Sequence, residues 1–202
     1  DVYADFLTPE FTLEGTPEHK WEACRGIGTS FGYNRFEGPD DYIDPKALIH
    51  MFVDIVARGG NLLLNIAPTP TGQVPWEQAS RVMALGWWMR QYGSAIYGTR
   101  PWERINGITG DAIDVRYTVD DEAVHAIVLG TPMDIGTADA YLQVDVSLDE
   151  GATVELENRP GTLAWESTPG GTRVKLPEIP DPSPAMAIRM SPPDKVRPFQ
   201  ET

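Results

Sequence analysis

Two glutamates near the start of the chain stand beside aromatic residues. Glu10 precedes Phe11, and Glu22 follows Trp21. Two carboxyl groups and aromatic rings are the side chains used to hydrolyse a glycosidic bond: a carboxyl donates or accepts a proton, and the rings cover the apolar face of the sugar. With 30 acidic residues in the chain, a glutamate taken alone is far more often a solvated surface group. Taken alone, the pair is a weak signal for sugar chemistry.

Other catalytic motifs are missing from the sequence. It contains no GxSxG elbow, no Walker loop and no dinucleotide glycine fingerprint, so no cofactor is expected. The three histidines are isolated and predict packing or surface roles rather than metal ligands: His19, His50 and His125. Cys24 is the single cysteine, which excludes an internal disulfide, and its WEACR surroundings predict a structural thiol.

Composition and charge narrow the choice of partners. The 202 residues carry a formal net charge of -14, which argues against nucleic acid, because that affinity depends mainly on Lys and Arg. The same charge disfavours an anionic membrane surface, and no apolar stretch is long enough to span a bilayer. An uncharged ligand such as a sugar is indifferent to this charge. The chain opens without Met and without signal-peptide features, so we expect it to begin in mid-protein or after processing.

The elements that would position a site surround a short apolar run. Residues 59–69, GGNLLLNIAPT, hold three leucines between two asparagines, with Gly-Gly before them and Pro after them. Such a run is too short for a helix and predicts a strand buried on both faces, as in a parallel sheet. Helical patterns lie on either side. Asn65 therefore falls at the carboxyl end of a strand, where α/β folds place ligands.

Those helical patterns carry clear boundary signals. Asp44 and Pro45 predict the start of the first helix, and Gly59 supplies a left-handed cap at its end. Its apolar stripe consists of Leu48, Met51, Phe52, Ile55 and Val56. A second helix is predicted over residues 75–92. Its apolar face consists of Ala79, Val82, Met83, Gly86 and Trp87.

From about residue 101 the pattern changes to short strands. Period-two or apolar segments separated by Gly, Asp or Pro turns occur at 114–119, 123–129, 140–146, 153–156, 173–176 and 185–190. Several short strands at such spacing predict an antiparallel β-sandwich over residues 101–192. Residues 193–202, rich in proline and charge, are predicted to form a disordered tail.

Three segments resemble one family of glycosidases. Residues 20–34, KWEACRGIGTSFGYN, resemble the KWE…IG.SFGYN block of the α-L-fucosidases of glycoside hydrolase family 29. Residues 53–68, VDIVARGGNLLLNIAP, resemble the family's VDIVSKGGNLLLNIGP, and residues 93–102, GSAIYGTRPW, resemble its NGEAIYGTRPW. The segments follow the family's order and spacing, so the resemblance covers roughly residues 5–104.

The resemblance implies an α/β plus all-β architecture: the C-terminal third of a (β/α)8-like barrel followed by an antiparallel β-sandwich. Residues 1–100 would form the barrel portion and residues 101–192 the accessory sandwich. It also implies retaining hydrolysis of terminal α-L-fucose, with a fucosylated oligosaccharide as substrate. In that mechanism an Asp attacks the anomeric carbon, and a second carboxyl protonates the leaving oxygen and then activates water.

The resemblance also assigns site residues. Glu10, in the TPEF segment shortly before KWE, matches the family's general acid/base, and Glu22 is the competing candidate or shapes the pocket. Phe31 matches an aromatic that packs against the fucose ring or its methyl group. Trp21 is expected at the substrate site, and Asn65 is expected to support that site. For Trp21 and Asn65, packing alone is an equal alternative.

One part of the family's pattern has no counterpart in this sequence. The family's nucleophile lies in an upstream WND- or WFD-like strand, and the histidines and arginine that grip the sugar also lie upstream. We therefore expect a fragment that is inactive alone, with the missing N-terminal part of the same barrel as its partner. The alternative is a non-catalytic carbohydrate-binding or structural module. Homo-oligomerisation is left open, as is localisation, for which the resemblance favours secretion or the periplasm.

Overall fold

The computed structural model describes residues 6–10, 19–132, 140–178 and 183–200. The chain forms two compact units, residues 1–90 and residues 91–202, so their boundary precedes the one predicted between residues 100 and 101. Sheet predominates over helix in the described residues. The regular elements up to residue 92 are β1 (Trp21–Gly26), α1 (Pro45–Ala57), β2 (Gly60–Asn65) and α2 (Trp76–Tyr92).

Helix α1 begins and ends where its sequence signals predict. The Asp44 carboxylate accepts hydrogen bonds from the backbone N–H groups of Lys46 at 2.9 Å and Ala47 at 3.2 Å. Pro45 occupies the first helical position, where its missing N–H removes nothing. Gly59, just past the helix, has a φ of 76°, a conformation that glycine adopts without strain. Local capping chemistry therefore sets both ends of α1.

Three segments of the first unit run parallel to one another. Strands β1 and β2 pair in parallel along their whole length. Residues 6–10 lie along the other edge of β1, with parallel bridges from Leu7 to Trp21 and from Glu10 to Cys24. The helix between β1 and β2 makes this a strand–helix–strand crossover of the kind found in α/β folds.

Strand β2 is not buried on both faces, so that prediction was wrong. Asn61 and Leu63 are exposed, Leu63 to 51%, while Leu62 and Leu64 on the opposite face are half-buried. Successive strand side chains point to opposite faces. The exposure of Asn61 and Leu63 means that no element among the described residues covers their face of the sheet.

Helix α2 is confirmed, but its buried face is not the predicted one. Val82, Met83 and Trp87 are 42%, 51% and 59% exposed. Gln78 is buried instead, and its side chain both accepts from the backbone N–H of Ala67 at 2.8 Å and donates to the Ala67 carbonyl at 3.3 Å. A helical stripe of apolar residues predicts a face to be covered, but it does not say that this chain covers it.

The second unit is built from antiparallel strands, as expected of a β-sandwich. These strands are β3 (Arg100–Ile108), β4 (Asp114–Val119), β5 (Val124–Val128), β6 (Tyr141–Val144), β7 (Val146–Leu148), β8 (Thr153–Leu156), β9 (Trp165–Thr168), β10 (Gly171–Lys175), β11 (Met186–Ser191) and β12 (Val196–Pro198). One sheet has the order β3-β4-β5-β11-β8, another the order β6-β10-β9, and β12 pairs with β7. The predicted strands at 114–119, 123–129 and 153–156 correspond to β4, β5 and β8.

A polar contact links the two larger sheets. The Tyr117 hydroxyl of β4 donates to the Asp145 carboxylate at 2.5 Å, and Arg104 of β3 donates to the same carboxylate at 2.5 Å. Asp145 lies between β6 and β7. Burial raises the pKa of Tyr117 well above its ordinary value, and the neighbouring Asp145 carboxylate raises it further. The phenol therefore stays protonated and acts as a donor.

The disordered tail predicted from residue 193 was wrong for the described residues 193–200. Residues 193–195 form a short 3-10 helix, and β12 follows with Val196 buried. The Phe199 carbonyl accepts a hydrogen bond from Arg104 at 2.8 Å, and its N–H donates to the Asp145 carbonyl at 3.0 Å. A buried valine and these backbone partners order a segment whose composition alone suggests disorder. Residues 201–202 lie outside the described range.

Candidate active site

The structure places both predicted carboxylates on the same face of the parallel segments. Residues that are paired across parallel strands point to the same side of the sheet. Glu10 is paired with Cys24, and Glu22 precedes Cys24 by two residues, so all three share a face. Glu10 is exposed and Glu22 is half-buried. Glu10 lies further toward the carboxyl ends of the segments, the end at which α/β barrels place their catalytic residues.

The uncovered residues of β2 share this face. Leu63 is paired with Cys24, and Asn65 is paired with Gly26. The face that carries Glu10 and Glu22 is therefore the face on which Leu63 is exposed. We call this surface, defined by Glu10, Glu22, Cys24, Leu63 and Asn65, the open face.

Trp21 lies on the opposite face and packs there. It is 3% exposed, and its indole N–H donates to the Arg58 carbonyl at the end of α1, at 3.2 Å. Its ring lies so close to Gly60 that a Cβ added there would come within 2.4 Å of ring atoms. Only glycine fits at this position. The substrate contact predicted for Trp21 stays a prediction, and its position favours the packing alternative.

Asn65 holds the loop that carries Phe31. Its side-chain amide donates to the Phe31 carbonyl at 2.7 Å. The Phe31 ring is 38% exposed, as a side chain available to a ligand must be. The hydrogen bond joins the last residue of β2 to the loop after β1, so these two strand ends are fixed to each other. The contact between Phe31 and sugar stays a prediction.

Sequence reasoning missed Glu37, which organises the same loop. Its Oε1 accepts from the Thr29 hydroxyl and from the Ser30 N–H, both at 2.7 Å. Burial raises the pKa of Glu37, but these hydrogen bonds and one from Tyr42 outweigh it, so the pKa lies below the ordinary value. Glu37 is therefore ionised at neutral pH. In the sequence it opens a turn-rich polar segment, and nothing local signals that the chain folds back onto Ser30.

A pocket of about 650 Å³ lies beside this loop. It is formed by the segment between β1 and α1 and the segment between β2 and α2, both of which follow the carboxyl ends of strands. Its aromatic lining comes from Tyr33, Tyr42 and Trp76, and Asn34 and Glu37 supply polar groups. Trp76 is 69% exposed. The pocket has the size and the mixed lining typical of small-molecule sites.

The described residues offer neither a metal-ligand cluster nor a membrane-spanning helix. Within residues 6–10, 19–132, 140–178 and 183–200, no group of three or more His, Cys, Asp or Glu side chains could hold a metal ion. Neither helix in this part of the chain is long and apolar enough to cross a bilayer.

Comparison with known proteins identifies relatives of the chain. The α-L-fucosidase family model matches residues 3–94. Tissue α-L-fucosidase of Macaca fascicularis is 33% identical over 173 residues, which are 85% of this chain and 36% of the relative. The α-L-fucosidase of Branchiostoma floridae is 34% identical over 162 residues, 79% of this chain and 35% of the relative. The chain thus spans about a third of the length of these curated relatives.

Solved structures give the same result. The crystal structure of Thermotoga maritima α-fucosidase in complex with fucose has a TM-score of 0.79 and 34% identity, covering 92% of this chain and 42% of that one. The same enzyme with a mechanism-based inhibitor has a TM-score of 0.81 and 35% identity, covering 93% and 43%. The chain belongs to the α-L-fucosidase family, and the region it matches is the C-terminal part of its relatives.

Proposed function

We propose that this chain is the C-terminal part of a retaining exo-α-L-fucosidase that removes terminal α-L-fucose from glycans or glycoconjugates. The observation that carries the proposal is the open face: two glutamates share it, and Glu10 is the one nearer to the carboxyl ends of the parallel segments, in a chain of the α-L-fucosidase family. Parallel strands with that arrangement of acids are the framework on which barrel glycosidases are built.

In this proposal Glu10 is the general acid/base. It protonates the leaving glycosidic oxygen and then takes a proton from the water that hydrolyses the glycosyl-enzyme intermediate. The Asp nucleophile belongs to an upstream strand that this chain lacks. The two catalytic carboxyl groups of a retaining enzyme stand about 5–5.5 Å apart, so the nucleophile strand must approach the open face closely. Glu22, half-buried on the same face, is the alternative acid/base or a pocket-shaping residue.

Phe31 supplies an apolar wall for the sugar. Fucose has a methyl group where related hexoses carry a hydroxymethyl group, and an apolar wall rejects the extra hydroxyl because it would be buried without a partner. The Asn65 hydrogen bond to the Phe31 carbonyl at 2.7 Å supports this placement by fixing the backbone of Phe31.

The open face also defines the principal partner. We propose that the missing N-terminal part of the same (β/α)8-like barrel covers Asn61 and Leu63, both exposed in this chain. Covering a leucine that is 51% exposed removes apolar surface from water and is favourable. The 202-residue chain alone is then inactive, because its acid/base has no nucleophile opposite it.

The test restores the upstream part. A chain extended to the length of its relatives is assayed for nitrophenol release from an aryl α-L-fucoside, beside Glu10→Ala, Glu22→Ala and Glu166→Ala. Glu166 is an exposed glutamate of β9 and serves as the matched control. We expect an active parent and control, and a Glu10→Ala variant that is slowed in deglycosylation and rescued by azide. Rescue of Glu22→Ala instead would move the acid/base role to Glu22, and an inactive parent would refute the proposed function.

A further inference from the structure

The pocket beside the Phe31 loop suits one chemical class of ligand. Trp76 and Tyr33 expose 69% and 43% of their surface around it, and Tyr42 is nearly buried in its lining. Exposed aromatic rings bind surfaces that are apolar on one side and polar at the edge. Asn34, which also lines the pocket, adds an amide group that can hydrogen-bond hydroxyls.

The charged residues that line the pocket disfavour other classes of ligand. Two carboxylates, Glu37 and Glu77, and one cation, Arg35, line the pocket, so an anionic ligand meets more repulsion than attraction. Glu37 stays ionised, since hydrogen bonds outweigh its burial and lower its pKa. A purely apolar ligand would leave these polar groups buried without partners. A neutral polyhydroxyl ring with one apolar face satisfies both the aromatic and the polar lining.

The pocket is connected to the proposed fucose site through one loop. Residues 29–37 carry Phe31, held by Asn65, and also Tyr33 and Asn34, which line the pocket. Asn34 donates to the Ser30 hydroxyl at 3.3 Å, and Ser30 donates its N–H to Glu37 at 2.7 Å. The same short, hydrogen-bonded loop thus carries one aromatic ring for the proposed fucose site and another for the pocket, both near the carboxyl ends of the strands.

We propose that this pocket is a carbohydrate subsite for the part of the substrate glycan beyond its terminal fucose. Its place in catalysis rests on the proposed function; its affinity for a neutral sugar does not. Trp76 would be the stacking platform, and Asn34 would contribute a hydrogen bond. The subsite would act on the binding of oligosaccharide substrates rather than on the bond that is cleaved.

The first experiment uses the 202-residue chain and lactose, a neutral disaccharide without fucose. Lactose is titrated while the tryptophan indole resonances are followed by NMR. We expect a saturable shift of the Trp76 indole, lost in Trp76→Ala and kept in Trp87→Ala. Trp87 is the matched control, because it is a 59% exposed tryptophan of the same helix outside the pocket lining. No saturable shift, or the same titration in Trp76→Ala, would overturn the subsite.

A second experiment separates the subsite from the proposed function. In the chain extended to full length, KM is measured for a fucosylated oligosaccharide and for an aryl fucoside. An aromatic contact of about 0.5–1.5 kcal/mol corresponds to a roughly two- to tenfold change in affinity. Trp76→Ala should therefore raise the KM for the oligosaccharide, relative to the KM for the aryl fucoside, by that factor. An active enzyme with an unchanged ratio refutes the subsite alone. An inactive enzyme whose Trp76 still titrates with lactose refutes the fucosidase proposal and leaves the carbohydrate site standing.

Discussion

The two units differ in how completely the chain buries its own apolar surface. Among the described residues, fourteen large apolar side chains remain exposed; twelve lie in residues 6–90 and two in residues 91–200. The second unit encloses whole strands, since all five residues of β5 are buried. The first unit leaves Leu63 and Met83 each 51% exposed. The first unit thus leaves more large apolar side chains exposed to solvent than the second.

The two units therefore differ in how far each can form a core by itself. The second unit has a core of its own, flanked by strands on both sides of β5. In the described residues of the first unit, one face of the sheet is covered and no element covers the other. The uncovered face agrees with our proposal that an upstream part of the barrel covers it, and the chain spans about a third of the length of these curated relatives. We therefore expect the same substitution to have unequal effects in the two units.

The largest expected contrast is between two aliphatic strand residues. Ile127→Ala in β5, at a fully buried position, should lower the free energy of unfolding by about 2–5 kcal/mol, because it leaves a cavity. Leu63→Ala in β2, at a position 51% exposed, should change it by less than about 0.5 kcal/mol. Urea unfolding followed by NMR at residue level measures both. Equal losses would mean that the open face is buried in solution, and the contrast between the units would fail.

A second prediction concerns the contact that joins the sheets of the second unit. Tyr117→Phe removes one hydrogen bond to Asp145 but leaves the bond from Arg104, and should lower the free energy of unfolding by about 1–2 kcal/mol. Asp145→Ala should have a larger effect, because it removes the carboxylate that accepts from both the Tyr117 hydroxyl and the Arg104 guanidinium. Thermal unfolding of the two variants gives the comparison. A smaller effect for Asp145→Ala would show that this carboxylate does not join the sheets.

The features that the sequence predicts well are those encoded locally. The Asp44 side chain, Pro45 and Gly59 act within a few residues, and α1 begins and ends with them. The alternation in residues 114–119 likewise needs only one strand, and β4 has those bounds. Strand β9 was missed because WEST carries no apolar alternation and has no buried residue.

The features that could not be predicted depend on distant partners. Whether Leu63 is buried depends on what covers the sheet, and the sequence of β2 is the same in either case. That Glu10 and Glu22 share a face follows from the register between two segments, which bridges such as Glu10–Cys24 reveal. The role of Glu37 requires the chain to fold back onto Thr29 and Ser30. The sequence therefore predicts which residues belong to the candidate site, whereas their arrangement is known only from the strand pairing in the structure.

A third prediction uses pH to compare buried and exposed carboxylates. Burial raises the pKa of Glu157, but hydrogen bonds from His125 at 2.5 Å and from Ser94 outweigh it, and the pKa lies below the ordinary 4.5. Asp120, which faces the other ring nitrogen of His125 at 3.2 Å, also has a lowered pKa: hydrogen bonds from the backbone and from His125 outweigh its burial. A carboxyl group whose pKa is lower in the folded protein than in the unfolded chain stabilises the folded state at pH values above its unfolded pKa. This stabilisation is lost as the pH falls through the pKa of the folded protein.

The second unit should therefore lose stability as pH falls below about 4.5, the ordinary pKa of Glu157. The charge of Arg189, which is on β11 and is paired with His125 of β5, also lowers the pKa of Glu157. Urea unfolding at a series of pH values should show a shallower acid slope in Glu157→Gln than in the parent. Glu166→Gln, at an exposed position of β9, is the control and should keep the parental slope. Identical slopes in all three proteins would refute the role of Glu157.

The smallest expected effect lies in the first unit, at Glu37. Its pKa is also lowered, because hydrogen bonds from Thr29, Ser30 and Tyr42 outweigh its burial. Glu37→Gln should change the free energy of unfolding by less than about 0.5 kcal/mol, since solvent screens a surface charge and the amide oxygen can still accept. The event should be local: the Ser30 amide resonance titrates with a midpoint below the ordinary 4.5 in the parent and not in Glu37→Gln.

Asp44→Asn, in the cap of α1, is the matched control and should keep the Ser30 titration. If Glu37→Gln instead lowered the stability of the first unit as much as Glu157→Gln lowers that of the second, the loop of residues 29–37 would be part of a closed core. Carboxylate substitutions would then lower the stability of the two units equally, unlike the aliphatic substitutions. A local titration with unchanged stability places Glu37 where the open architecture of the first unit predicts: it shapes the loop that presents Phe31 and the pocket, while the fold persists without its charge.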